Sequence, residues 1–206
     1  MFITFEGPDK AGKTTQIELL KEFAKKKGLD WVFTRNPGDT HLGQKLRDIV
    51  LDADEDISDK AELMIYLADR AQNVEDVLKP SLAAGKVVIC DRYTDSTMAY
   101  QGHGRGIDLK SIGIMNNLVT EGIKPDLTIM LMVSDKEAAR RTKEMDRLES
   151  ENKLFFVRVR NGYKTQAKDH PDRIKIIEVD GLSIEEVHSR ILKLISGKVG
   201  MELVSA

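Results

Sequence analysis

Apolar and polar positions along this chain follow two periods. Short, nearly continuous apolar runs at 2–6, 31–34, 87–90, 127–133 and 174–179 have the length and composition of buried strands. Between them, apolar residues recur at helical spacing and predict helices over 14–27, 41–51, 59–84, 108–122, 135–143, 149–168 and 183–197. Such alternation predicts βαβ units: an α/β fold with a five-stranded, mainly parallel sheet and helices on both faces. Pro125 and Pro171 fall where helices should already have ended. The chain has no internal repeat, low-complexity stretch or Pro/Ser-rich linker. One domain is therefore expected over 1–197, with a loosely held tail at 198–206.

Between the first strand and the first helix lies Gly7-Pro8-Asp9-Lys10-Ala11-Gly12-Lys13-Thr14-Thr15, which contains a complete G-x-x-x-x-G-K-[ST] pattern. Strand, glycine loop and helix together make a phosphate-binding loop, because loop N–H groups and the helix N-terminus face one anion. Lys13 then reaches the β- and γ-phosphates, and the Thr14 hydroxyl is offered to Mg2+. A glycine turn with a chance Lys-Thr is the plain alternative, and the flanking elements weigh against it.

Charge and composition narrow the classes. Thirty-two basic residues face 34 acidic ones, which argues against bulk binding to nucleic acid or an anionic membrane. The lone Cys90 has no internal disulfide partner, fits a reducing compartment, and follows Val87-Val88-Ile89 as a buried strand thiol would. No apolar run reaches the roughly 18–20 residues of a membrane helix, and no signal peptide is evident, so a cytoplasmic protein is expected.

Ligands of parallel sheets sit at the carboxyl ends of the strands. The second predicted strand ends in Thr34-Arg35-Asn36-Pro37-Gly38-Asp39-Thr40 and the third in Cys90-Asp91-Arg92-Tyr93. An arginine at each end, facing a triphosphate loop, is the layout for holding a second anion as phosphoryl acceptor. Asp91 fits a Mg2+ ligand, held directly or through water, or else a helix cap or a partner for Arg92. The basic cluster at 140–147 is either a solvated face or a mobile flap over the triphosphate.

The chain resembles the thymidylate kinase (dTMP kinase) family of P-loop nucleoside monophosphate kinases over about residues 1–190. The resemblance rests on Phe5-Glu6-Gly7 into the loop, Thr34-Arg35-Asn36-Pro37-Gly38, Asp91-Arg92-Tyr93-Thr94-Asp95-Ser96 and Ala99-Tyr100-Gln101-Gly102. Gly104-Arg105-Gly106, Pro125-Asp126-Leu127-Thr128, Asp146-Arg147-Leu148-Glu149 and Phe155-Phe156-x-Arg158-Val159-Arg160-x-Gly162-Tyr163 extend it. It implies a three-layer P-loop NTPase fold with a short LID at about 138–150, and Mg2+-dependent transfer of the ATP γ-phosphoryl to dTMP, a step toward dTTP. By resemblance, residues 7–15 with Arg140 and Arg141 bind ATP, the adenine lying near that pair and Asp180-Gly181-Leu182-Ser183. Arg35 and Arg92 clamp the dTMP phosphate, and Asp9 sits near the sugar 3′-hydroxyl. Tyr66 stacks on thymine, and Arg70, four residues on and so on the same helix face, bonds its O4. Thr97 falls at thymine N3, Tyr100 crowds the sugar C2′, and Ser96 and Gln101 complete the dTMP set. The family implies a homodimer and a cis peptide at Asn36–Pro37.

This chain departs from the family pattern twice. Asn36 and Asp39 replace the usual Glu and Gly of the turn after the second strand. Relatives also place a catalytic arginine either in the phosphate loop, two residues before the second glycine, or in the LID; here those positions hold Lys10 and Thr142. Lys10 with Arg141 or Lys143 is the expected source of that cation, alongside Lys13, Arg92 and Asp91. The chain lacks the N-K-x-D motif of a GTPase. A UMP/CMP kinase or a catalytically inactive nucleotide-binding module are the remaining alternatives.

Overall fold

The computed structural model describes residues 1–52, 56–141, 147, 151–200 and 203. Five strands form one sheet: β1 (Phe2–Glu6), β2 (Trp31–Arg35), β3 (Val87–Asp91), β4 (Leu127–Met132) and β5 (Ile174–Glu178), in the order β2-β3-β1-β4-β5. All four pairings are parallel, with Phe5 opposite Asp91 on one side and Ile129 on the other. The central β1 is buried along its whole length, as a strand covered on both faces must be.

Side chains alternate between the faces and so feed two cores. Ile3 and Phe5 of β1 with Ile129 and Leu131 of β4 meet α1 (Lys13–Lys27) and α9 (Ile184–Val199) through Leu20, Val187, Ile191 and Ile195. Each fully buried Leu or Ile there contributes about 1.5–3 kcal/mol. On the other face, Met130 and Met132 pack against Phe155, Val159 and Tyr163 of α8 (Lys153–Asp169), while Phe2 and Val88 pack against Val74 and Leu78.

Local chemistry sets most helix ends. Ser183 and Glu186 form a capping box that starts α9, with bonds of 3.1 and 2.7 Å. Asn152 caps α8 by accepting from the Phe155 N–H at 3.0 Å, so that helix starts at Lys153. Helices α2 (His41–Leu51), α6 (Leu109–Thr120) and α7 (Asp135–Arg141) match the periodicity. The expected helix over 59–84 is instead α3 (Asp59–Asn73), a π-helical segment at Val74–Leu78, and α4 (Lys79–Ala83). Its ladder is broken ahead of Pro80, whose missing N–H cannot continue i→i−4 bonding.

A helical run after β3 was not expected from periodicity: α5 (Thr94–Thr97) continues as a π-helical segment over Met98–Gly104. Its glycines and small polar residues hide the pattern, yet it buries Ser96, Thr97, Tyr100 and Gln101 on the cleft side. At the C-terminus, α9 runs to Val199, and Leu203 packs into the first core. Residues 201, 202 and 204–206, and 142–146 and 148–150 of the expected LID, lie outside the described residues.

Candidate active site

The strand order reverses direction at β1, and the cleft opens outside its carboxyl end, where a doubly wound sheet binds ligands. Gly7 leaves β1 with φ 126°, and a Cβ there would lie 2.0 Å from the Leu131 carbonyl oxygen, so only glycine lets the loop pass β4. Gly12, at φ 92°, turns the chain into α1. Pro8 and the rest of the loop carry the chain between these turns, and Asp9 to Thr15 line a cavity of about 860 Å³. Lys13 Nζ donates to the carbonyls of Gly7 and Pro8 at 3.0 and 2.9 Å. Burial and the neighbouring Arg92 push its pKa down to about 8. Asp9, Asp91 and Glu6 act in the opposite direction, each favouring the charged ammonium.

Arg92 reaches back from the end of β3 in a left-handed conformation, φ 66°. One guanidinium nitrogen donates to the Gly7 carbonyl, Ser96 Oγ and Tyr163 Oη at 3.2, 3.1 and 3.2 Å. The other pairs with Asp9. Tyr100 donates to the second oxygen of Asp9 at 2.6 Å. Burial alone would raise the Asp9 pKa, but Arg92 and Lys13 hold it below the usual carboxylate value. Beneath this group, the fully buried Glu6 accepts from the Tyr93 N–H at 2.7 Å and from Ser96 Oγ. Burial, with Asp95 nearby, pushes its pKa up to about 7.

A narrower slot adjoins the large cavity, sharing Asp9, Asn36, Arg47 and Arg92 with it. Tyr66, Arg70, Ser96, Thr97, Tyr100 and Gln101 line this slot together, although they come from α3 and from the helical run after β3. Arg70 is almost fully buried and donates to Thr97 Oγ1 and Asn116 Oδ1, both at 2.7 Å, and to the Tyr93 carbonyl at 3.0 Å. Its Nε finds no partner among the described residues. A guanidinium only donates, so this wall of the slot favours a ring oxygen over a ring amino group.

Arg35 lines the large cavity but not the slot, and its guanidinium bonds the Gly38 carbonyl and Gln44. The Asn36–Pro37 peptide is cis. Asp91 and Thr14 line the same cavity, and Asp91 Oδ1 is buried with no hydrogen-bond partner among the described residues. Arg141 enters the cavity, donating to the Lys10 carbonyl at 3.1 Å and to Glu137 at 2.8 Å. Arg140 points outward onto Glu137 and does not line the cavity. Lys143 and Thr142 lie outside the described residues.

Two residues at the site carried no separate signal in the sequence. Arg47, one polar position among several on α2, lines both the cavity and the slot. Tyr163 belongs to a motif that supports the resemblance, but only packing brings its hydroxyl to Arg92 from 71 residues away.

Comparison with known proteins comes to the same place. A family model described as thymidylate kinase matches residues 5–191. The thymidylate kinase of an Exiguobacterium species is 43% identical over 196 residues, covering 93% of this chain and 92% of that protein. The thymidylate kinase of a Synechococcus species is 45% identical over 199 residues, covering 97% and 96%. The crystal structure of thymidylate kinase from Ehrlichia chaffeensis superposes with a TM-score of 0.78 at 37% identity, covering 95% of this chain and 98% of that one.

Proposed function

Because the chain belongs to the thymidylate kinase family, its reaction is the ATP-dependent phosphorylation of dTMP to dTDP, and we propose that the large cavity holds ATP while the adjoining slot holds dTMP. One observation carries this division: the slot and the cavity share Asp9 and Arg92, so donor and acceptor phosphates meet there. The loop N–H groups and Lys13 hold the donor phosphates. Arg92, with Arg35 from the neighbouring strand end, draws the acceptor phosphate toward the donor against their mutual repulsion. Asp9 faces the acceptor sugar, Tyr66 stacks on the base, and Arg70 donates to O4. Thr97 stands at N3, with Ser96 and Gln101 beside it. Tyr100 fills the space of a 2′-hydroxyl, which would be buried there without a partner. That selects deoxyribose by about 1–3 kcal/mol.

The unpartnered Asp91 oxygen and the Thr14 hydroxyl are hard oxygen ligands on one cavity, and they would hold Mg2+ together with the donor phosphates. When bound, Mg2+ neutralises charge on the transferring phosphoryl group. Arg141, with Lys10 and Lys143, supplies the further cation. Residues 1–197 act as one catalytic domain. Among the described residues no helix is long and apolar enough to cross a membrane, and we assign the enzyme to the cytoplasm. Ile114 and Leu118 on α6 and Met64 on α3 are exposed apolar side chains, a fitting face for a homodimer.

Initial rates with dTMP, dUMP, dCMP and UMP at fixed Mg-ATP test the assignment of the slot. dTMP is expected to be the preferred acceptor, with ATP turnover dependent on it. Equal turnover of dCMP or UMP would remove the roles given to Arg70 and Tyr100.

A further inference from the structure

Glu62 sits on α3 one turn ahead of Tyr66 and two ahead of Arg70, lines neither the cavity nor the slot, and is completely buried. A buried carboxylate is costly unless it is paired and hydrogen-bonded. Here the donors come from two other segments, the helical run after β3 with its C-cap and the connection between α7 and α8. Gln101 Nε2 donates to Oε1 at 2.8 Å, and Arg105 donates to both oxygens at 3.2 and 2.9 Å. Arg147, from the connection between α7 and α8, donates to Oε2 at 2.6 Å. Burial pushes the Glu62 pKa upward, but these donors more than offset it and hold the carboxyl below its usual range.

Arg147 also faces the opposite way. Its Nε donates to the Val50 carbonyl at 2.9 Å, and its own N–H reaches the Leu51 carbonyl at 3.5 Å. Val50 and Leu51 are the last residues of α2. One guanidinium therefore joins the carboxyl end of α2, where peptide carbonyls lack helical partners, to a carboxylate on α3. Leu51 and Arg47 of α2 and Tyr66 of α3 are all walls of the slot, and Gln101, the neutral partner of Glu62, is a further wall.

We propose that Glu62 is a positioning residue for the acceptor nucleotide: through Arg147 it holds the end of α2 against α3, and through Gln101 it holds the slot's inner wall. The inference rests on reading the slot as the dTMP site. Of the slot walls tied to Glu62, Leu51, Tyr66 and Gln101 do not line the donor cavity and Arg47 lines both, so loss of Glu62 loosens dTMP binding far more than ATP binding.

Steady-state kinetics of Glu62→Gln, Arg147→Gln and the double variant test this, with Tyr66→Ala as a control on the slot itself. Each single variant is expected to raise KM for dTMP by about tenfold while KM for ATP stays within about twofold, and the double variant matches Glu62→Gln because one contact is broken in both. A merely structural role would lower Tm and the active fraction with both KM values unchanged, and that result overturns the proposal. If Glu62→Gln does not fold, Arg147→Gln decides alone, since Arg147 lies in the connection between α7 and α8 and belongs to no strand or helix. An unchanged KM for dTMP in Tyr66→Ala removes the slot reading and this inference with it. A raised KM in Tyr66→Ala with none in Glu62→Gln or Arg147→Gln removes this inference alone.

Discussion

The Tyr100 phenol donates to the Asp9 carboxylate at 2.6 Å, joining the slot to the phosphate loop. Arg92 occupies the other carboxylate oxygen, so one acidic side chain fixes a cation and a ring from two separate segments. Tyr100→Phe removes a hydrogen bond to a charged group, a loss of about 1.5–3 kcal/mol, and should lower kcat/KM for dTMP by about tenfold or more. Asp9→Asn should cost more, because it also deprives Arg92 of its counter-charge. Rates measured at subsaturating dTMP order the two variants.

Asp9 also has a signature in acid. Its native pKa lies below the ordinary 3.8, so its ion pair stabilises the fold at neutral pH and is lost as pH falls through the native value. Thermal melts of wild type and Asp9→Asn should therefore converge below about pH 4. A Tm difference that persists unchanged there would assign the stabilisation to packing.

Glu6 should behave oppositely. Its pKa is raised from 4.5 to about 7, so the native state binds more protons than the unfolded chain across that window. The contribution is fully present below 4.5 and is lost as pH rises through about 7. Urea midpoints should show the advantage of wild type over Glu6→Gln shrinking from pH 5 to pH 8. A gap independent of pH would mean that Glu6 does not titrate there.

The proposed role of Arg70 in base choice comes with a structural one. Arg70→Met leaves Thr97, Asn116 and the Tyr93 carbonyl without their buried donor. At about 1–3 kcal/mol for each of these groups and about 2–4 °C per kcal/mol, Tm should fall by at least about 6 °C. The preference for dTMP over dCMP should fall with it, read as the ratio of their kcat/KM values. Loss of Tm without loss of preference would confine Arg70 to a structural role.

Arg141 and Lys10 are proposed sources of the further cation at the cavity, which both line. Arg141 already reaches the loop backbone, and its guanidinium offers a bidentate fork that an ammonium lacks. Arg141→Ala should lower kcat by about a hundredfold and Lys10→Ala by less. If Lys10→Ala leaves kcat and KM unchanged, Lys10 is only a surface residue.

Contiguous residues sufficed for the strands, most helices and the phosphate loop, because apolar period, glycine conformation and helix caps act over a few positions. The motifs around Arg35, Asp91 and Arg92 likewise marked the strand ends that face the cleft. The helical run over 94–104 escaped that logic, since its stability comes from packing against α8 and not from its own periodicity. Packing alone brought Tyr163 to Arg92, Asn116 to Arg70 and Arg147 to Glu62, pairs separated by 71, 46 and 85 residues. It also turned Arg140 outward and Arg141 inward, although the two are adjacent in the chain. Side-chain type states what a residue is able to bond. Which groups meet is set by the sheet order and the faces the helices bury, and a buried charge then takes whichever partner those contacts bring within reach.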